Sequence, residues 1–190
     1  TFVRALWLCA LLHVNAEQLS KCPGNFMLLS DVLGTYPAPV IRLLMLQTHY
    51  RSPLDFATDR LDEAGVAYER LANLVRTLRW VRSNPAPGAG APSGEREALA
   101  RALSDTLAKF EQEMDDDFNT AGALGAVFEL VRWANGFVSS QRALLGDADV
   151  RLLAEIERGV TALLSVLGVT IAQTERSDDD LPAEVLTLAA

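Results

Sequence analysis

Four long stretches of this chain repeat apolar residues at steps of three and four, a spacing that lines one side of a helix and fits no strand. From Thr58, read as an N-cap, a helix is expected to about Arg82, with Leu61, Ala64, Tyr68, Leu71, Val75 and Leu78 on its buried side. Leu99, Leu103, Leu107, Phe110 and Met114 form a second stripe. A break at Asp115–Asn119 follows, and Thr120 is expected to cap a third helix carrying Leu124, Val127, Phe128, Val131 and Val138. Asp147 is expected to cap a fourth, with Leu152, Leu153, Ile156, Val160, Leu163 and Leu167, ended by Gly168 as its C′ residue. A shorter buried helix is expected over Pro39–Tyr50, with Pro39 in its first turn. No single stripe can bury itself, so the fold class is mainly α, a helical bundle.

Two segments lack this period. Residues 83–94 (SNPAPGAGAPSG) read as a flexible connector, and residues 1–36 alternate short apolar pieces with turn residues, as a loop-rich remnant of another fold would. The division expected is 1–36, a helical unit over 37–168, and an acidic tail over 169–190. The chain opens at Thr1 inside an apolar run, so it reads as an excerpt clipped at both ends. The net charge of −8 is unevenly spread: residues 1–84 hold nine Lys/Arg against seven Asp/Glu, and residues 85–190 hold eight against eighteen. A polyanion is therefore expected to meet the first half. Two cysteines make no disulfide framework, and the apolar run at 5–14 is too short to span a bilayer. A cytoplasmic protein with no membrane and no DNA partner is expected.

Chemistry is suggested by one loop, residues 17–26 (EQLSKCPGNF), where Ser20 and Lys21 can bring a hydroxyl and an ammonium against phosphate oxygens. A lone Ser-Lys pair in a surface loop is more often incidental. Arg76, Arg79 and Arg82 recur every third residue along one helix edge, as either a phosphate-binding stripe or a solvated face. Asp115–Asp117 can hold Mg²⁺ or, as favoured, only separate two helices. Trp80 and Trp133 can stack on bases, with packing the commoner fate. Cys9, His13, Cys22 and His49 lack the paired spacing of a zinc site, so no metal ligand is assigned.

The loop aligns without gaps with the GEKMSKSLGNF signature of class I aminoacyl-tRNA synthetases, through Glu17, Ser20, Lys21, Gly24, Asn25 and Phe26. Phe2, Val3, Arg4, Trp7 and Leu8 upstream, then Val40-Ile41-Arg42 and His49-Tyr50-Arg51-Ser52-Pro53-Leu54, follow in the family's order. Met114-Asp115-Asp116-Asp117-Phe118-Asn119-Thr120 is a fourth point of similarity. Together these resemble the C-terminal portion of cysteinyl-tRNA synthetases: the end of the catalytic domain, then an anticodon-binding, DALR-like helical bundle. The resemblance implies ATP-dependent activation of cysteine, with Mg, and transfer to the cysteine tRNA. It makes Lys21 and Ser20 the catalytic candidates, with Lys21, Gln18 and Gly24 at the ATP phosphates. It raises Arg51, Arg76, Arg79 and Arg82 as tRNA contacts.

The departures matter chemically. Gln18 stands where the family has its first lysine, a loss worth roughly 2–4 kcal/mol of transition-state stabilisation by analogy with lost oxyanion donors. Cys22 replaces a serine and Pro23 stiffens a loop that should move. Cys9 and Ala16 replace a histidine and a glycine. A His-Ile-Gly-His-like motif and the family's zinc ligands are not found, so the segment alone is expected not to activate cysteine. Two alternatives stay open: a mycothiol-pathway type of cysteine ligase, and a non-catalytic RNA-binding or scaffold relative.

Overall fold

The structure is a computed structural model that describes residues 9–10, 12–14, 17–18, 28–84, 88–141 and 144–171. Six helices carry the described fold: α1 (Leu29–Thr35), α2 (Ala38–Leu46), α3 (Thr58–Ser83), α4 (Ser93–Asp115), α5 (Thr120–Gln141) and α6 (Asp147–Val166). Three very short strands, β1 (Leu12–Val14), β2 (Glu17–Gln18) and β3 (Leu54–Asp55), form a sheet in the order β2-β1-β3. β1 runs antiparallel to β2 and parallel to β3, with Leu12 opposite Leu54 and His13 opposite Asp55.

The mainly helical class holds, and the stripes make one core. All six apolar residues named on α3 are buried, as are all six named on α6 with its exit turn. α3 packs on α2, α5 and α6, while α4 lies along α5 and also reaches α6. Leu71, Leu74 and Val75 of α3 and Ile156, Val160 and Leu164 of α6 are completely enclosed. Each fully buried leucine contributes about 1.5–3 kcal/mol, which is why a largely polar α3 surface still folds.

Several local readings change. On α4 the buried line runs through Leu99, Thr106 and Phe110, and Leu107 is 43 % exposed. Thr106 can enter the core because its hydroxyl donates to the Ala102 carbonyl at 2.7 Å. The second helix ends at Leu46, short of Tyr50, and the following turn reverses the chain into β3. Thr58 and Asp147 are first helical residues; the N-caps are Ala57 and Gly146. Thr120 does not cap α5: Asn119 Oδ1 accepts the Gly122 N–H at 3.0 Å, and the Thr120 hydroxyl goes across to the Leu46 carbonyl at 2.8 Å. Gly168 does end α6, at φ +68°. Helix α1 lies in the segment read as loop-rich; only Val32 of its seven residues is buried, so it shows no stripe.

The described part of the 83–94 connector is tied to the start of α6. Gly90 N–H donates to the Leu144 carbonyl at 2.7 Å, and Ala91 N–H to Asp149 Oδ2 at 2.8 Å.

Candidate functional site

Ser20, Lys21 and Gly24 lie outside the described residues. Gln18 is described in its backbone, in β2 opposite His13 of β1, so the sheet carries the chain to within two residues of Ser20. The sheet is held from the other side by the segment that follows α2. Ala10 N–H donates to the Tyr50 carbonyl at 2.9 Å, and Phe56 N–H to the His13 carbonyl at 2.7 Å. Those two bonds bracket the β1–β3 pairing.

The same segment packs on the core through the buried Phe56 and the half-buried Leu54, and it meets the α4–α5 corner through one residue, Asp117. Tyr50 OH donates to Asp117 Oδ1 at 2.7 Å, and Arg51 Nη1 lies 3.0 Å from Asp117 Oδ2. His49 Nε2 is 3.2 Å from the Asp117 carbonyl oxygen, while its Nδ1 accepts the Arg51 N–H at 3.3 Å. The neutral Nε2–H tautomer satisfies both bonds. His49 stacks on Tyr50, ring centroids 4.8 Å apart, and the Arg51 guanidinium sits 5.4 Å from the Tyr50 ring centre. The hydrogen bond to Asp117, reinforced by partial burial, raises the Tyr50 hydroxyl above its usual pKa against the opposing Arg51 charge. Asp117 and Phe118 both hold positive φ, 56° and 54°, so the turn between α4 and α5 is a tight left-handed corner. The two most distinctive motifs of the sequence, 49–54 and 114–120, thus form one contact.

The α3 arginines have acidic neighbours. Arg79 Nε and Arg82 Nη1 bind the two oxygens of Glu157, at 2.8 and 2.7 Å, and the Glu157 side chain is only 8 % exposed. Two guanidiniums on one carboxylate leave a local surplus of one positive charge. Arg76 reaches Glu69 at 2.8 Å and Asn73 at 2.6 Å. Arg51 and Arg82 are the more open of the four, with side chains 66 % and 50 % exposed. Trp80 packs against the core, whereas Trp133 is 49 % exposed in a cleft of ≈ 380 Å³ between α4 and α5.

Sequence reasoning passed over Asp117 as a hub and Glu157 as the arginines' counter-ion. The second carried a signal: a carboxylate between Ile156 and Val160, on the apolar side of α6, needs a partner. Among the described residues no group of three or more His, Cys, Asp or Glu is placed to hold a metal ion. Cys9 is an exposed free thiol, and Cys22 lies outside the described residues. No described helix is long and apolar enough to cross a membrane.

Comparison with known proteins covers both ends of this arrangement. Residues 1–66 match the model of the class I (C) tRNA synthetase catalytic domain, and residues 109–172 match the DALR domain. The first range takes in the sheet, α1, α2 and the start of α3; the second runs from late α4 to the end of α6. The cysteine–tRNA ligase of Carboxydothermus hydrogenoformans is 37 % identical over 86 % of this chain and 32 % of its own length. That of Heliobacterium modesticaldum is 38 % identical over 88 % and 35 %. That of Geobacter metallireducens is 39 % identical over 83 % and 32 %. The chain spans about a third of the length of these relatives. It belongs to the cysteine–tRNA ligase family, of which it carries the end of the class I catalytic domain and the DALR domain.

Proposed function

We propose that this chain serves ATP-dependent, Mg-assisted activation of cysteine and its transfer to the cysteine tRNA, supplying the signature loop and the helices that dock the tRNA. The observation that supports this best is that both family regions occur in order and pack into one core, joined at Asp117. In this reading Lys21 sets its ammonium against the pyrophosphate leaving ATP, Ser20 donates to the same phosphates, and Gly24 lets the backbone approach them. Gln18 offers a neutral amide where a second cation would stand. Arg51, Arg76, Arg79 and Arg82 are the proposed tRNA contacts, Arg51 and Arg82 first because they are the more open. Activation by this segment alone is not expected, since nucleotide and thiol recognition belong to the other two thirds of such an enzyme. Its place of work is the cytoplasm.

The test is cysteine-dependent pyrophosphate exchange, with this segment in the context of a whole enzyme. Lys21→Ala should lower the rate by roughly 10²–10³, as loss of a transition-state charge contact does, and Gln18→Lys should raise it. If neither substitution changes exchange, the loop has no part in the reaction. Binding of cysteine tRNA without turnover would then favour the second reading, a non-catalytic RNA-binding or scaffold protein, which Gln18, Cys22 and Pro23 support. The DALR match weighs against a mycothiol-type ligase, which needs no tRNA-docking helices.

A further inference from the structure

We propose that Asp117 is a positioning residue that locks the helical bundle to the small sheet leading into the 17–26 loop. This rests on the function proposed above only for what the coupling serves; the coupling itself stands on geometry.

Asp117 belongs to the bundle. It sits in the corner joining α4 to α5, where Asn119 N–H donates back to the Glu113 carbonyl at 3.0 Å and the Thr120 hydroxyl reaches the end of α2. At that corner its backbone adopts φ 56°, a left-handed conformation that costs most residues energy and is tolerated best by Gly, Asn and Asp. Its side chain and carbonyl then meet three consecutive residues, His49, Tyr50 and Arg51, from one strand approach. The exposed Arg51 pair contributes little by itself, because water screens it. The Tyr50 hydroxyl supplies the directional bond, at 2.7 Å to a carboxylate.

From Tyr50 the connection to the sheet runs through backbone hydrogen bonds. The Tyr50 carbonyl accepts from Ala10, two residues before β1, and four residues on from Tyr50, β3 pairs with β1. Phe56 closes the other end on His13 and is itself buried. β1 in turn pairs with β2, which ends at Gln18. Strands of two and three residues cannot hold a fixed position by their own ladder. Their orientation relative to the bundle is set by what grips the 49–56 segment: the core packing of Phe56 and Leu54, which is apolar and weakly directional, and Asp117, which adds three polar contacts that fix direction. Placed this way, the strand that ends at Gln18 keeps one register with the helices.

The experiment is residue-resolved hydrogen–deuterium exchange on the full chain, with pyrophosphate exchange in the whole enzyme alongside it. Asp117→Gly deletes the carboxylate while suiting φ 56°, so it relieves backbone strain and introduces none. The amides of Ala10 and Phe56 should exchange about tenfold faster, as expected when charge-assisted bonds holding a local unit are lost. Amides in the middle of α5 and α6 should be unchanged. Tyr50→Phe should reproduce much of the effect, and Asp117→Asn, which keeps an acceptor for Tyr50, should restore most of the protection. Unchanged exchange at Ala10 and Phe56, or equal loosening of sheet and helices, overturns the proposal. In the whole enzyme Asp117→Gly should lower kcat more than it raises KM for ATP. If Lys21→Ala is inert while Asp117→Gly still loosens the sheet, the coupling stands and the catalytic reading fails.

Discussion

Asp149 is fully enclosed, yet it is held as a carboxylate by three donors: the N–H groups of Gly146 and Ala91 and the Arg96 guanidinium, at 2.9, 2.8 and 2.8 Å. Burial alone would raise its pKa; the Gly146, Ala91 and Arg96 contacts together outweigh it and hold the group below the usual carboxylate value. A depressed folded pKa means the stabilisation is complete above the unfolded value, near 3.8, and is lost as pH falls through the lower folded value. Asp149→Ala should cost roughly 2–4 kcal/mol at pH 7, since it strands buried donors, and should flatten the acid limb of the stability profile. Urea midpoints measured from pH 7 to pH 2 check both. A midpoint unchanged at pH 7 would mean that water replaces the carboxylate at no cost. This residue was illegible beforehand: Asp147 and Asp149 both lie in the first turn, and nothing local says that the second meets a glycine-rich connector 58 positions away. The same blindness hid Asp117, one of three adjacent aspartates distinguished only by a backbone corner and a distant tyrosine.

At the scale of elements the reading was far easier, because a stripe is a local pattern and burial follows it. α3 and α6 begin and end, and α5 begins, within a residue or two of their expected places, and their named apolar sets are buried or, for Phe128, partly so. The failures have local causes. Leu107 lost its place to Thr106 because a hydroxyl bonded within its own helix can stand in for an apolar group. α1 escaped notice because seven residues with one buried side chain carry no period. Between elements, the Glu157 fork joins α3 to α6 at the spot where Arg79 and Arg82 leave the apolar face. Glu157→Gln keeps the shape but removes the charge, so it should destabilise the chain by about 1–3 kcal/mol. It should also free both guanidiniums, strengthening any binding of a polyanion. Thermal melts and tRNA binding by the same variant check the two effects together. Lower stability with unchanged binding would assign the arginines to holding the helices, and to nothing else.

Across the whole molecule, charge and motif agree on a direction. The four proposed tRNA contacts all lie in the first 84 residues, where Lys and Arg outnumber Asp and Glu; the second half is strongly acidic. Composition made that asymmetry visible at once, but the position of the arginines relative to their partners required the packed structure. A polyanion approaching along α3 meets five arginines against four carboxylates, whereas α4 and α6 are each net acidic. Arg82 and Arg132 make a matched pair of probes. Both are surface arginines with acidic partners, Glu157 and Glu129, and they stand on the two halves of the chain. If tRNA docks by the first half, Arg82→Gln should weaken binding and reduce the slope of log K against log salt by roughly 0.7–0.9, the value of one released phosphate contact. Arg132→Gln should leave slope and affinity unchanged. Titrations at several salt concentrations with cysteine tRNA decide it: equal losses from the two variants would mean that net charge alone drives binding. A loss confined to Arg132, beside the open Trp133 cleft, would move the docking face to α4 and α5.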